Sequence, residues 1–217
     1  RSLALEPRLI LLDEPLSNLD AKLREEMRVE LKKLIKKVGI SALYVTHDQD
    51  EAFTISDAVV VMDGGKILQY GTPDDIYNRP LHPFVAGFVG HSMLFDGRVV
   101  RSDSDGCLVN VPDFNGADLI SPAAPAVAVG DTCKVVIRTT ELKLSQEGFA
   151  EGVDNVLEGL MTGREYRGGL TDHRVQIGAK ELIVTSHKLC PMIRTNGDDG
   201  KTFVSIDRSA ITVIVTH

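Results

Sequence analysis

Two adjacent carboxylates follow an apolar run near the start of this 217-residue chain. The run, residues 9–12, is typical of a strand that is buried on both faces of a parallel sheet, and Asp13 and Glu14 come directly after it. Because open α/β folds bind ligands at the carboxyl ends of their strands, we expect both side chains at a ligand-binding edge. One carboxylate can hold Mg²⁺ or its waters, and the other can take a proton from an attacking water. The pair therefore predicts a magnesium-nucleotide site.

A histidine is predicted to reach the same edge. Residues 41–46 indicate a second strand, and His47 follows it directly. Between the two strands, Asp20 can cap a helix that runs to about Val38, and Gly39 can end it. Apolar side chains recur along this helix every three or four residues, which predicts one buried stripe. The stripe consists of Leu23, Met27, Leu31, Leu34 and Val38.

These residues occur in a longer pattern, Asp-Glu-Pro-Leu-Ser-Asn-Leu-Asp at 13–20 followed by Thr-His-Asp at 46–48. In type, order and spacing the pattern resembles the Walker B, D-loop and H-loop motifs of ABC-transporter ATPases. Taken alone, an Asp-Glu-Pro sequence is as typical of a strand that simply ends in a turn. The remaining residues of the pattern favour the ATPase interpretation over that one.

The resemblance implies a role for each residue, with ATP and Mg²⁺ as cofactors. Asp13 would bind Mg²⁺ through water, Glu14 would polarise the attacking water, and His47 would contact the γ-phosphate or that water. The alternative for His47 is to cap the helix predicted at residues 48–55. The residues that would lie at the seam between two ATPase subunits are Ser17, Asn18 and Asp20; the last can also serve as the helix cap.

Two further motifs of the family are absent from the sequence. The phosphate-binding motif is Gly-x-x-x-x-Gly-Lys-Ser/Thr, whereas the Gly-Lys-Thr at 200–202 is preceded by Thr195 in place of the first glycine and by two aspartates. A β-type run at 203–206 follows it, so we predict a hairpin turn there. The Leu-Ser-Gly-Gly-Gln signature is also missing. The resemblance thus predicts the C-terminal portion of an ATPase, cut just after the signature motif.

The second half of the chain changes in character near residue 91. Residues 69–90 resemble the exit from the ATPase core into the regulatory domain of sugar, polyamine, iron and oxyanion importers, and 136–142 and 165–171 resemble the repeats of its OB-like barrel, often called TOBE. Short β-type runs separated by Gly, Asp and Pro indicate a small barrel or sandwich. The predicted strands lie at 95–101, 107–111, 132–138, 156–166, 173–177, 181–186, 203–206 and 212–215. The predicted fold is therefore α/β, a partial P-loop NTPase core at 1–90, followed by an all-β, OB-like regulatory domain at 91–217.

Composition limits the function classes. The net charge is −7, which argues against nucleic acid as the main partner, and no apolar run reaches the length of a membrane span. The three cysteines are far apart, so neither a disulfide framework nor a zinc site is expected, and a reducing cytosol fits.

The sequence thus predicts the ATP-hydrolysing subunit of an ABC importer, present as a fragment. Its expected partners are transmembrane permease subunits and a second ATPase subunit, in a homodimer, and its expected location is peripheral, on the cytoplasmic face of the cell membrane. One alternative is a non-catalytic regulatory or dimerisation module of such a transporter. Another is an ATPase of DNA repair or chromosome structure, but that class has coiled-coil heptads, which this sequence lacks. The transported solute stays open.

Overall fold

The computed structural model describes residues 7–124, 127–187 and 200–216. The chain divides into two compact units, unit 1 at Arg1–Pro80 and unit 2 at Leu81–His217. The division follows Pro80 rather than residue 90, because the short helix at Pro83–Phe88 packs against strands of unit 2. Which parts of the chain act as ATPase and as regulatory domain stays a prediction.

Unit 1 begins with a strand, a helix and a second strand parallel to the first, as the sequence pattern predicts. Asp20 caps the helix by accepting a hydrogen bond from the Leu23 amide at 3.0 Å. Gly39 ends the helix in the left-handed conformation, at φ 71°, which costs glycine little because it has no Cβ. The elements of unit 1 are β1 (Leu9–Asp13), α1 (Ala21–Val38), β2 (Ser41–Val45), α2 (Gln49–Ile55), β3 (Val59–Asp63), β4 (Lys66–Gly71) and α3 (Pro73–Asn78).

The predicted burial of this unit is wrong. In β1, Leu9 is 54% exposed and Leu11 is 68% exposed, although the apolar run predicts a strand that is covered on both faces. Helix α1 contains no buried residue among those described, so its apolar stripe is not buried either. The reason is that β1 and β2 form a sheet of only two strands within the described residues, which leaves few neighbours to cover either element.

The rest of unit 1 follows its local sequence signals. Strands β3 and β4 form an antiparallel hairpin, as Asp-Gly-Gly-Lys at 63–66 predicts. Thr72 and Asp75 form a capping box at the start of α3, and Pro73 is the first residue of this helix, a position that favours proline. These short-range signals need no distant contact, which explains why the sequence predicts them well.

Unit 2 consists of the predicted β-strands, arranged in two five-stranded antiparallel sheets. One sheet has the order β12-β11-β10-β13-β9 and the other β14-β8-β5-β6-β7. The prediction missed the short strands β7 and β9. The elements are α4 (Pro83–Phe88), β5 (Ser92–Asp103), β6 (Gly106–Val111), β7 (Ala117–Ser121), β8 (Thr132–Arg138), β9 (Leu142–Ser145), β10 (Val156–Arg167), β11 (Leu170–Ile177), β12 (Lys180–His187), β13 (Lys201–Ile206) and β14 (Ile211–Val215).

A single apolar cluster draws side chains from both sheets of unit 2. Val135 and Ile137 of one sheet and Val175 and Ile177 of the other are almost fully buried in it. These pairs are spaced two residues apart, as expected for the inner face of a strand. The cluster also buries Cys107 and Cys133 as free thiols, and burial raises the pKa of Cys133 to about 11. Of the predicted hairpin turn at 195–202, residues 195–199 lie outside the described residues, and Lys201 is the first residue of β13.

A buried polar network accompanies this core. Asp172 accepts hydrogen bonds from Arg167 at 2.9 Å and from the Thr185 hydroxyl at 2.8 Å. Burial alone would raise the pKa of Asp172, but these two hydrogen bonds lower it below its ordinary value. Arg138, which is 5% exposed, donates to the carbonyl of Val89. Asp172 and Arg138, both buried inside unit 2, therefore have partners, as burial requires.

Candidate functional site

Glu14 and His47 meet at the carboxyl ends of the two parallel strands of unit 1. The last residues of the strands, Asp13 and Val45, are partners in the sheet, and the Glu14 amide continues the pairing by donating to the Val45 carbonyl at 2.9 Å. Two residues after Val45, His47 Nδ1 lies 2.9 Å from Glu14 Oε1. The side chain of Glu14 is 46% exposed and that of His47 is 78% exposed, so solvent or a ligand can reach both.

Glu14 has an unusual backbone conformation. Its φ is +42°, a region that costs a residue with a Cβ about 1–3 kcal/mol and that is concentrated at functional sites. The turn that follows holds it there. Ser17 donates to the Glu14 carbonyl from its amide at 3.2 Å and from its hydroxyl at 2.9 Å, Pro15 occupies the turn position that favours proline, and Leu16 is buried.

The carboxylate of Glu14 favours the protonated form of His47. Its hydrogen bond, followed by its negative charge, raises the pKa of His47 above the ordinary value of 6.5. With Nδ1 donating to Glu14, the neutral imidazole keeps Nε2 as an acceptor, and the protonated ring offers it as a donor. The second ring nitrogen can therefore serve either an anion or a water, depending on pH.

The residues on both sides of His47 are held by hydrogen bonds. Thr46 Oγ1 accepts from the Asp48 amide at 3.0 Å and donates to Glu51 Oε2 at 2.9 Å. The same carboxylate oxygen accepts from the Tyr44 hydroxyl at 2.8 Å. Burial, with the Glu51 carboxylate beside it, raises the pKa of Tyr44. Asp48, and not His47, caps α2, since its side chain accepts from the Glu51 amide at 3.2 Å.

Arg24 of α1 connects the segment after Glu14 with the segment around His47. Its NH2 group donates to the Leu19 carbonyl at 3.0 Å, and its NH1 group lies 3.7 Å from Asp48 Oδ2. Arg28, one helical turn later, lies 4.0 Å from the same oxygen. One guanidinium group therefore contacts both segments that the sequence assigns to the site.

A shallow cavity of about 50 Å³ opens between these segments. Of the predicted site residues, Glu14, Ser17 and His47 line it. Asp13 is exposed at the end of β1, Asn18 is exposed in the turn, and Asp20 caps α1. The lining residues that the sequence did not single out are Arg24, Thr46, Asp48 and Glu51.

A sequence signal existed for some of the missed residues. Thr46 and Asp48 flank the histidine, and Asp-Gln-Asp-Glu at 48–51 fits a capping-box pattern. Glu51 departs from that pattern, because its carboxylate binds side-chain hydroxyls of β2 and of the turn, whereas the Asp48 amide is bound by Thr46. Nothing in the sequence indicates that α1 would bring Arg24 to Asp48.

Across 7–124, 127–187 and 200–216, no group of three or more His, Cys, Asp or Glu side chains could hold a metal ion. In the same residues, no helix is both long and apolar enough to cross a membrane.

Comparison with known proteins shows a family. The chain is 41% identical over 186 residues to the spermidine/putrescine import ATP-binding protein PotA of Clostridium novyi, which covers 86% of this chain and 50% of that protein. It is 44% identical over 188 residues to PotA of Acetivibrio thermocellus, covering 87% and 50%. With PotA of Clostridioides difficile the identity is 46% over 156 residues, covering 70% and 42%.

Two other comparisons add little. No protein-family model matches the chain. A molybdate-bound crystal structure of the cytoplasmic molybdate-binding protein ModG superposes with a TM-score of 0.49 at 14% identity, covering 57% of this chain and 96% of that one. A likeness of this size carries no argument about function.

The chain spans about half the length of the curated relatives it matches, and by its similarity to them it belongs to the family of ABC importer ATP-binding proteins.

Proposed function

We propose that this chain is the second half of an ATP-hydrolysing subunit that drives solute import across the cytoplasmic membrane. The observation that carries the proposal is the contact of Glu14 with His47, 2.9 Å apart at the ends of two parallel strands. The similarity of the chain to import ATP-binding proteins supports the same assignment. The half that would carry the phosphate loop and the signature motif would precede this chain.

Glu14 and His47 supply complementary chemistry. The Glu14 carboxylate is accessible and can accept a proton from an attacking water. His47 orients that carboxylate through Nδ1 and presents Nε2 to the γ-phosphate or to the water. Phosphoryl transfer depends mostly on positioning and charge stabilisation, so a fixed pair of this kind suits the reaction.

The cofactors would be ATP and Mg²⁺. Mg²⁺ usually keeps several waters and binds proteins through one or two carboxylates together with substrate phosphates. Asp13 fits this need, because it is one exposed carboxylate beside Glu14 at the edge of the sheet. The ion would supply charge neutralisation for the phosphates, and Asp13 would hold it through water.

The remaining proposals concern assembly. Ser17, Asn18 and Asp20 would face a second ATPase subunit, in a homodimer, while permease subunits would hold the protein at the cytoplasmic face of the membrane. The names of the relatives favour a polyamine as the imported solute. Unit 2 would be the OB-like regulatory domain.

The test is the substitution Glu14→Gln in the complete protein that contains this chain. The amide keeps the shape and removes the proton acceptor, so we expect ATP hydrolysis to fall by about 10²-fold or more while ATP binding is retained. Glu25→Gln, on an exposed position of α1, is the matched control. Wild-type turnover in Glu14→Gln would remove Glu14 from its role. A wild-type protein that neither binds nor hydrolyses ATP would instead favour the non-catalytic regulatory module.

A further inference from the structure

One buried carboxylate near the site has no part in the proposed reaction. Glu51 of α2 is 3% exposed, and its Oε2 accepts hydrogen bonds from the Tyr44 and Thr46 hydroxyls at 2.8 and 2.9 Å. Carboxylates are rarely buried unless they are paired, and bonds to a charged acceptor are stronger than neutral ones. This carboxylate therefore holds both hydroxyls firmly.

We propose that Glu51 is a positioning residue, which fixes the turn that presents His47 to Glu14 through the hydroxyl of Thr46. The contacts of Glu51 do not depend on the proposed function. The expected effect of Glu51 on ATP hydrolysis does rest on the proposed function. The residue touches neither His47 nor Glu14 by a hydrogen bond, so its effect is transmitted by its neighbours.

The Thr46 hydroxyl transmits the effect because it has a single hydrogen. A threonine hydroxyl donates once and accepts through its two lone pairs. With its proton directed to Glu51, the oxygen presents its lone pairs elsewhere, and the Asp48 amide donates to it at 3.0 Å. This bond closes the turn across His47, joining the residue before it to the residue after it.

A second contact acts on the same turn from the other side. The Asp48 carboxylate accepts from the Glu51 amide at 3.2 Å, and Arg24 and Arg28 lie within 4.0 Å of its other oxygen. Both residues next to His47 are thus tied to Glu51, one by its side chain and one by its backbone. A structural role in capping α2 alone would need only the backbone contact.

The experiment is a pH titration of the His47 ring by NMR in the 217-residue chain. The charged groups around the ring are Glu14, Asp48 and Glu51, with Arg24 on Asp48. The wild-type ring should titrate above 6.5 because Glu14 holds it. In Glu51→Ala we expect most of that upward shift to be lost, so that the ring approaches its behaviour in Glu14→Gln.

Two variant pairs separate positioning from charge. Thr46→Val removes the hydroxyl without changing any charge and should also lose the upward shift, whereas Thr46→Ser keeps the hydroxyl and should retain it. Glu51→Gln removes the charge but keeps an acceptor oxygen, so it should lie closer to the wild type than Glu51→Ala does. Asp50→Asn, on the exposed neighbour, should leave the titration unchanged.

The proposal is overturned if His47 titrates as in the wild type in Thr46→Val. It is also overturned if Glu51→Gln and Glu51→Ala lower the pKa of His47 equally while Thr46→Val does not, because charge alone would then explain the effect. Should Glu51→Ala disrupt unit 1, the threonine pair decides. In the complete protein, Thr46→Val should lower hydrolysis by about 10- to 100-fold. If His47 titrates as in the wild type in every variant and the complete protein does not hydrolyse ATP, both the proposed function and this inference are contradicted. If the variants lose the upward shift as expected but the complete protein does not hydrolyse ATP, only the proposed function is contradicted.

Discussion

The two units of this protein use their side chains in opposite ways. In unit 2, one apolar cluster fills the space between two five-stranded sheets. In unit 1, fewer of the described apolar side chains are buried, among them Leu16, Ile55, Val59, Val61 and Ile76. Several polar side chains of unit 1 meet instead at one sheet edge, where Glu14, Arg24 and His47 line a cavity.

This difference separates the source of stability from the candidate site. A packed core stabilises a fold in proportion to the apolar area it removes from water, and most of that area lies in unit 2. The site residues of unit 1 depend on short hydrogen bonds between neighbouring turns. Substitutions should therefore act on stability in one unit and on site geometry in the other.

Core truncation in unit 2 should have the largest effect on stability. Ile137 is fully buried, so Ile137→Ala leaves a cavity and should cost about 2–5 kcal/mol of unfolding free energy. Leu11→Ala, at a position that is 68% exposed, should change it by at most about 0.5 kcal/mol. Urea unfolding of the whole chain, followed by circular dichroism, measures both. Similar costs for the two variants would erase the contrast between the units.

The boundary between the units can be tested with two fragments of unit 2 that start at different residues. Residues 81–217 should unfold cooperatively by themselves, because they include α4, whose Val85 and Ala86 are fully buried. Residues 92–217 lack α4 and lose the hydrogen bond from Arg138 to the Val89 carbonyl, and this lost bond of a charged donor should cost about 1.5–3 kcal/mol.

Thermal unfolding of the two fragments provides the measurement. We expect the shorter one to melt roughly 4 °C or more below the longer one, given the usual dependence of melting temperature on stability. Equal melting temperatures would show that the compact unit begins after α4, near the boundary that the sequence suggested.

The smallest expected effect concerns the polar network of unit 2. Asp172→Asn keeps an acceptor for Thr185 but loses the ion pair with Arg167, whose side chain is 55% exposed, so the cost at pH 7 should be about 1 kcal/mol. The folded pKa of Asp172 is lowered. Its contribution is therefore fully present above the unfolded pKa of about 3.9 and is lost as pH falls through the lower folded pKa.

Urea unfolding at pH 7 and near pH 2 checks this sign. The difference between the wild type and Asp172→Asn should shrink toward zero at the lower pH. Glu147→Gln, at an exposed position, serves as the control and should show no such pH-dependent difference. A difference that grows as the pH falls would contradict the assigned role of the carboxylate.

The sequence by itself determined the features that depend on neighbouring residues. The cap at Asp20, the left-handed Gly39, the hairpin at 63–66 and the N-cap at Thr72 each need only local chemistry. The order of β1, α1 and β2 also placed Glu14 and His47 at one edge, because parallel strands end on the same side of their sheet. The strands β7 and β9 were missed, since they are short and depend on the sheets they join.

Only the tertiary structure decided which side chains are buried and which polar groups meet. The apolar patterns of β1 and α1 state a preference for burial, but burial requires neighbours, and within the described residues the two-stranded sheet has few. The contacts of Arg24 with Asp48 and of Glu51 with Thr46 likewise depend on how α1 and α2 approach each other and the end of β2. Periodicity along a chain gives the face of an element, whereas its partners are fixed only when the elements pack in three dimensions.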